Sequence, residues 1–107
     1  NSGHGARDWL CEGYATGLSL RECLHALRLR YRIHITFSAG NLVKVAAKHH
    51  AGLVVADNDA SGTGERAALK TGFPYYLPEA GDFNEENKKA GTMRASQNLR
   101  KWLVSTK

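Results

Sequence analysis

Residues 52–59 read G-L-V-V-A-D-N-D: an unbroken apolar run from Gly52 to Ala56 that ends directly in Asp57-Asn58-Asp59. A strand with no polar alternation is one buried on both faces, which is what a parallel sheet covered by helices supplies. Upstream, Ile33 to Phe37 (I-H-I-T-F) alternates and is rich in β-branched residues, so it reads as a second strand, closed by Ser38-Ala39-Gly40. Asn41 then stands as an N-cap for a short helix over 42–49. Further upstream, Leu20, Leu24, Leu27 and Tyr31 recur at i, i+4, i+7 and i+11, the buried face of a helix over 18–31 that carries Arg21, Arg28 and Arg32 on its other side. Trp9-Leu10-Cys11 is a compact apolar run before Glu12-Gly13 and reads as the first strand. Downstream, residues 64–70 are helical with Gly72 as C-cap, and Tyr75-Tyr76-Leu77 is a short strand between Pro74 and Pro78. Residues 79–84 read as a loop, and 92–104 as a closing helix offering Met93, Ala95, Leu99, Trp102 and Leu103 to a core. Strands alternating with helices predict an α/β fold: a central parallel sheet of about four strands, flanked by helices on both faces.

The chain has 107 residues, 42% hydrophobic and 23% charged, the size of one small domain. That apolar share excludes intrinsic disorder, and no apolar run approaches the ~18 residues of a membrane span, so a soluble domain over 7–104 is expected. Residues 1–6 read as a flexible leader or tag remnant and 105–107 as the C-terminal end. Without an initiator Met the sequence reads as a piece of a longer protein, and Asn1 to Gly5 has no secretory-signal pattern. Cys11 and Cys23 form no disulfide framework and read as buried thiols of a reduced, cytoplasmic chain. Neither Cys23 with His25 nor the pair His49–His50 has the spacing of a zinc site. The net charge of +5 divides into +4 over residues 1–50, −2 over 51–81 and +3 from Asp82 onward. An acidic centre between basic flanks suits a polyanionic partner such as nucleic acid.

Polar groups at the carboxyl ends of parallel strands line the ligand crevice, and Glu12, Asp57 and Asp59 occupy two such ends. A D-x-D there sets both carboxylates on one side, where a cation with oxygen ligands, usually Mg²⁺, relieves their repulsion. An EF-hand is excluded because the twelfth residue counted from Asp57 is Ala68. A Walker loop is excluded because Ser61-Gly62-Thr63-Gly64 leads to Glu65 and not to Lys-Ser/Thr. An aspartyl-phosphatase reading leaves Glu12 unused and lacks a later acidic pair.

Three stretches taken together, C-E-G-Y-A-T-G-L-S at 11–19, V-V-A-D-N-D-A-S-G-T-G at 54–64 and G-D-F-N-E at 81–85, resemble the Toprim (topoisomerase–primase) domain. The likeness runs from about Arg7 to Trp102 and is nearest to the phage, plasmid and prophage DNA primases and primase–helicases. It implies a Rossmann-like sheet, with Glu12, Asp57 and Asp59 as catalytic residues and metal ligands and Asp82 as a further ligand. Gly13 corresponds to the glycine of the first motif. Where many replicative primases carry another acid, this chain has Thr16.

The resemblance also implies Mg²⁺- or Mn²⁺-dependent nucleotidyl transfer that makes RNA primers from nucleoside triphosphates on single-stranded DNA. In such proteins an upstream zinc-binding primase module, and often a helicase domain, accompanies this one, so the piece alone is expected to show little priming. Gly13, Arg21, Arg28, Lys44, Lys48 and Arg66 are the candidate nucleotide or nucleic-acid contacts. Tyr14 is expected to pack, as are Trp9 and Trp102. Two other activities share the same acids: a Toprim nuclease that hydrolyses phosphodiesters, and a non-catalytic nucleic-acid-binding module.

Overall fold

The computed structural model describes residues 6–106, so Asn1 to Gly5 of the expected leader and Lys107 of the C-terminal end lie outside the described residues. The chain runs β1 (Arg7–Cys11), α1 (Tyr14–Ala26), β2 (Tyr31–Ile35), α2 (Ala39–Ala46), β3 (Leu53–Val55), α3 (Thr63–Thr71), β4 (Tyr75–Tyr76), α4 (Phe83–Ala90) and α5 (Thr92–Ser105). The four strands form one parallel sheet in the order β2-β1-β3-β4, with Trp9 opposite both Ile33 and Leu53 and Val55 opposite Tyr76. The α/β architecture expected from the 52–59 run is therefore the observed one.

Strand alternation sorts the core into two layers. Trp9, Cys11, Leu53, Val55 and Tyr76 pack with Leu20 and Leu24 of α1, Phe83 of α4 and Leu99 of α5. Leu10 and Val54 pack on the opposite face with Leu42 and Ala46 of α2 and Ala67 and Ala68 of α3. All three residues of β3 are buried, which is why its sequence shows no polar alternation. Trp9 is buried and stacks at 6.1 Å on the half-buried Trp102. Cys11 and Cys23 are buried free thiols, pushed up to about 12 chiefly by burial. Among the described residues no helix is long and apolar enough to cross a membrane.

Several local expectations are corrected. The first helix starts at Tyr14, not at residue 18, because the small residues Thr16, Gly17 and Ser19 are buried and let α1 sit close to the sheet. It stops at Ala26, and Tyr31 belongs to β2. Leu27 caps it, Arg28 turns left-handed at φ 58°, and the amides of Arg28 and Leu29 donate to the carbonyls of His25 and Leu24. This is a Schellman closure with arginine where glycine is usual. Arg28 and Arg32 therefore share no helix face with Arg21; Arg32 sits on β2 and pairs with Asp8 at 2.9 Å. A side chain held in that region costs ~1–2 kcal/mol, so Arg28→Gly is expected to stabilise the fold by ~1 kcal/mol and raise Tm by ~4–8 °C in thermal melts.

The cap of α2 is Ser38, whose hydroxyl accepts from the Asn41 amide, so Asn41 is the cap's donor and not the cap. Residues 79–84 are not all loop: Asp82 starts α4, a helix the apolar periodicity misses because it buries only Phe83 and Asn87. Met93 is 75% exposed and contributes nothing to the core.

Candidate functional site

The strand order reverses between β1 and β3, and the crevice of an open parallel sheet lies at that point, outside the carboxyl ends. Glu12 leaves β1 there and Asp57 follows β3 two residues after its last, with Ala56 between. Asp82 arrives from the far side of the sheet, brought in by Asn58. The backbone of Asn58 exchanges two hydrogen bonds with Gly81, at 2.8 and 2.9 Å, and its Nδ2 donates to the carbonyls of Pro78 and Glu79, both at 2.8 Å. The middle residue of the D-x-D thus ties the 57–62 loop to the 78–82 loop, a positioning role with no signature in the sequence beyond Asn being able to donate twice.

Asp57 carries the electrostatics. It is half-buried, and its Oδ1 is fully buried with no hydrogen-bond partner. Burial first, and then the charges of Glu12, Asp82, Asp59 and Glu85, push its carboxyl up to about 6. Asp59 is exposed and turned into its own loop, accepting from the Ser61 hydroxyl at 2.7 Å and the Gly62 amide at 3.0 Å. Those bonds, the Ser61 hydroxyl foremost, hold its carboxyl below the usual range. The two aspartates expected on one side therefore have different environments: β3 ends at Val55, so strand alternation does not extend to them.

Asp82 is the N-cap of α4. Its carboxylate accepts from the Glu85 amide at 2.8 Å while Glu85 Oε1 accepts from the Asp82 amide at 3.3 Å, a reciprocal capping box. Thr16 is buried on α1. Gly13 caps α1 in extended conformation. Tyr14 is 60% exposed, contrary to the packing expected of it. Phe37, which the sequence reading left in a strand, is exposed in a left-handed conformation at φ 66°, its amide donating to the Glu12 carbonyl at 2.8 Å. Two exposed aromatics thus adjoin Glu12 along the backbone.

The basic candidates divide by edge. Arg66 lies one turn into α3, beside the 57–62 loop, with Nη2 donating to Thr63 Oγ1 at 3.3 Å. Arg28 lies at the opposite edge, in a cleft with Arg7, Leu29 and Arg100, and Lys48 lines another there with Asp8 and His49. Arg21 and Lys44 are exposed within α1 and α2.

Among the described residues, one group of three potential metal ligands has its ligating atoms all within 4.8 Å of one another, and it is Asp8, His34 and His49. The acids at the crevice stand further apart as a set. Asp8 is held down to about 2, chiefly by its hydrogen bond from Arg32 and next by His34. Spacing along the chain hid this group, because its members come from β1, β2 and the segment after α2 and meet only through the β1–β2 register. Compared with known protein families, characterised proteins and solved structures, the chain matches none.

Proposed function

We propose that this chain is a Toprim-type catalytic domain performing Mg²⁺- or Mn²⁺-dependent nucleotidyl transfer, making RNA primers from nucleoside triphosphates on single-stranded DNA as part of a larger protein. The supporting observation is Asp57: a half-buried carboxylate at the strand-order reversal, one oxygen orphaned, among four other acids. A buried acceptor without a donor, in a field of like charge, fits an oxygen-ligated divalent cation, and the all-carboxylate set favours Mg²⁺ or Mn²⁺ over softer metals. Asp57, Glu12 and Asp82 would hold it, with Asp59 joining on release from Ser61. When bound, the cation neutralises phosphate charge and acidifies the attacking hydroxyl.

The chain's own residues supply the rest of the reading. Glu12, at the turn into α1, is either the third ligand or the general base that takes the proton of the 3′-hydroxyl. The positive N-terminal end of α3, with Arg66 beside it, orients phosphate oxygens. Tyr14 and Phe37 give bases exposed rings to stack on.

The test is a Mg²⁺, then Mn²⁺, titration of the ¹⁵N-labelled domain, paired with primer-extension and nicking assays. Amide shifts confined to Glu12-Gly13, Asp57 to Asp59 and Asp82, with nucleotide-dependent extension in the full-length protein, are the expected result. Metal-dependent nicking without nucleotides would replace transfer by hydrolysis. DNA binding indifferent to metal would make the domain a non-catalytic binder.

A further inference from the structure

We propose that Asp8, His34 and His49 form a second metal site, for Zn²⁺ or a similar borderline divalent cation, across the β1–β2 pair and apart from the carboxylate crevice. The three ligands come from separate elements: Asp8 from β1, His34 from β2 and His49 from just beyond α2. His34 Nε2 lies 3.0 Å from Asp8 Oδ1, and His49 Nδ1 lies 3.6 Å from Asp8 Oδ2. Around a tetrahedral Zn²⁺ with bonds of ~2.0–2.1 Å, neighbouring ligand atoms stand ~3.3–3.4 Å apart. The two contacts, each to a different oxygen of Asp8, lie near that spacing, and with all three ligating atoms within 4.8 Å of one another a small closing movement would complete the set. The imidazoles face each other with centroids 4.8 Å apart and rings tilted by 54°, not stacked flat, which lets one nitrogen of each turn toward a common point. All three side chains are partly buried, at 16–32% exposure, and a cleft lined by Asp8, Lys48, His49 and Gly52 opens Asp8 and His49 to solvent.

The donor chemistry chooses the metal. Two imidazoles and one carboxylate suit Zn²⁺ and its neighbours and disfavour Mg²⁺, which prefers oxygen. Three protein ligands leave a fourth position for water. Arg32 already donates to Asp8, through Nε to Oδ1 at 2.9 Å and through Nη2 to Oδ2 at 3.4 Å. A carboxylate has about four acceptor sites, so Arg32 and a metal can share it, the guanidinium then orienting the ligand from behind. Arg7 and Lys48 also line the cleft, and their exposed side chains can extend into water. Because the site joins β1, β2 and the end of α2, the bound ion would fasten that corner of the fold independently of the crevice acids.

The experiment is Zn²⁺ binding to the metal-free domain, by competition with a chromogenic chelator, for the wild type and for His34→Ala, His49→Ala, His50→Ala and Asp57→Asn. One ion per chain is expected, with affinity reduced on the order of 10- to 100-fold in His34→Ala and in His49→Ala. His50→Ala and Asp57→Asn should bind as the wild type does. In the wild type, Zn²⁺ should shift the ¹⁵N resonances of His34 Nε2 and His49 Nδ1 in particular, a readout that does not depend on any variant folding. Unchanged affinity in both histidine variants, equal loss in His50→Ala, or shifts confined to other imidazoles would overturn the proposal and leave the group an ion-paired cluster alone.

Discussion

Asn in place of Asp57 should make the metal-free domain more stable at neutral and alkaline pH and, if the proposed function holds, remove its response to Mg²⁺. The Asp57 carboxyl titrates at about 6 in the fold against 3.8 in an ordinary environment, so the folded chain holds that proton more tightly than the unfolded one. Stability from this group is therefore full below about pH 4 and is lost as pH rises through about 6. Two pH units correspond to ~3 kcal/mol, and water reaching the half-buried carboxylate reduces that to ~1–2 kcal/mol. Asn carries no charge, so the variant escapes the loss. With chelator present, the Tm of Asp57→Asn should exceed that of the wild type by several degrees at pH 8, and the two curves should converge near pH 4. Other carboxylates titrate in both proteins, Asp8 in the opposite sense, and cancel in the comparison. With Mg²⁺ the wild type alone should gain stability. A variant less stable than the wild type at every pH would make the Asp57 carboxylate a structural group.

Gly64→Ala should be the most damaging glycine-to-alanine change among the described residues. A Cβ there would lie 2.6 Å from the Asp57 carbonyl oxygen, 3.2 Å from its nitrogen and 3.3 Å from its carbonyl carbon. All three are backbone, so no rotamer change relieves the clash, and α3 must lift from the end of β3. Overpacking of this kind costs ~1–3 kcal/mol, and the rigid neighbour places it near 3, a large part of a typical 5–15 kcal/mol. Thermal melts should show Tm lowered by ~10–20 °C. Gly40→Ala is the control: it meets nothing within 4 Å and should be neutral or slightly stabilising. Because the clash falls on the Asp57 backbone, Gly64→Ala should also weaken the Mg²⁺ response at temperatures where it remains folded. An unchanged Tm would show that the α3 junction relaxes freely.

The same physics decides what could be read in the sequence. Residues 52–59 were legible because a strand buried on both faces has to be apolar throughout, and acids directly after it have to lie at the sheet's edge. The α4 helix was not, since Asp82 to Ala90 has almost no apolar face; its signal was the D-x-x-E of the capping box, Asp82 with Glu85. The arginine stripe failed because one left-handed residue, Arg28, ends the helix, and apolar spacing does not register backbone handedness. At the crevice, Glu12 and Asp57 were found by their places behind strands. The work of Asn58, the inward turn of Asp59 toward Ser61 and the meeting of Asp8 with two histidines depend on loop pairing and strand register, which spacing along one chain does not encode.

The position of β1 inside the sheet, between β2 and β3, has a consequence for how the chain assembles. β1 takes part in two of the three strand pairings: it meets one neighbour 24 residues later, Tyr31 against Arg7, and the other 44 residues later, Leu53 against Trp9. Trp9, Leu10 and Cys11 lack their β3 cover until that 44-residue separation is closed, and the closure carries an entropic cost that local pairing does not. Until that closure the two halves of the crevice, one behind β1 and one behind β3, do not exist as a pair, and the acidic cluster is created in the same event that completes the fold.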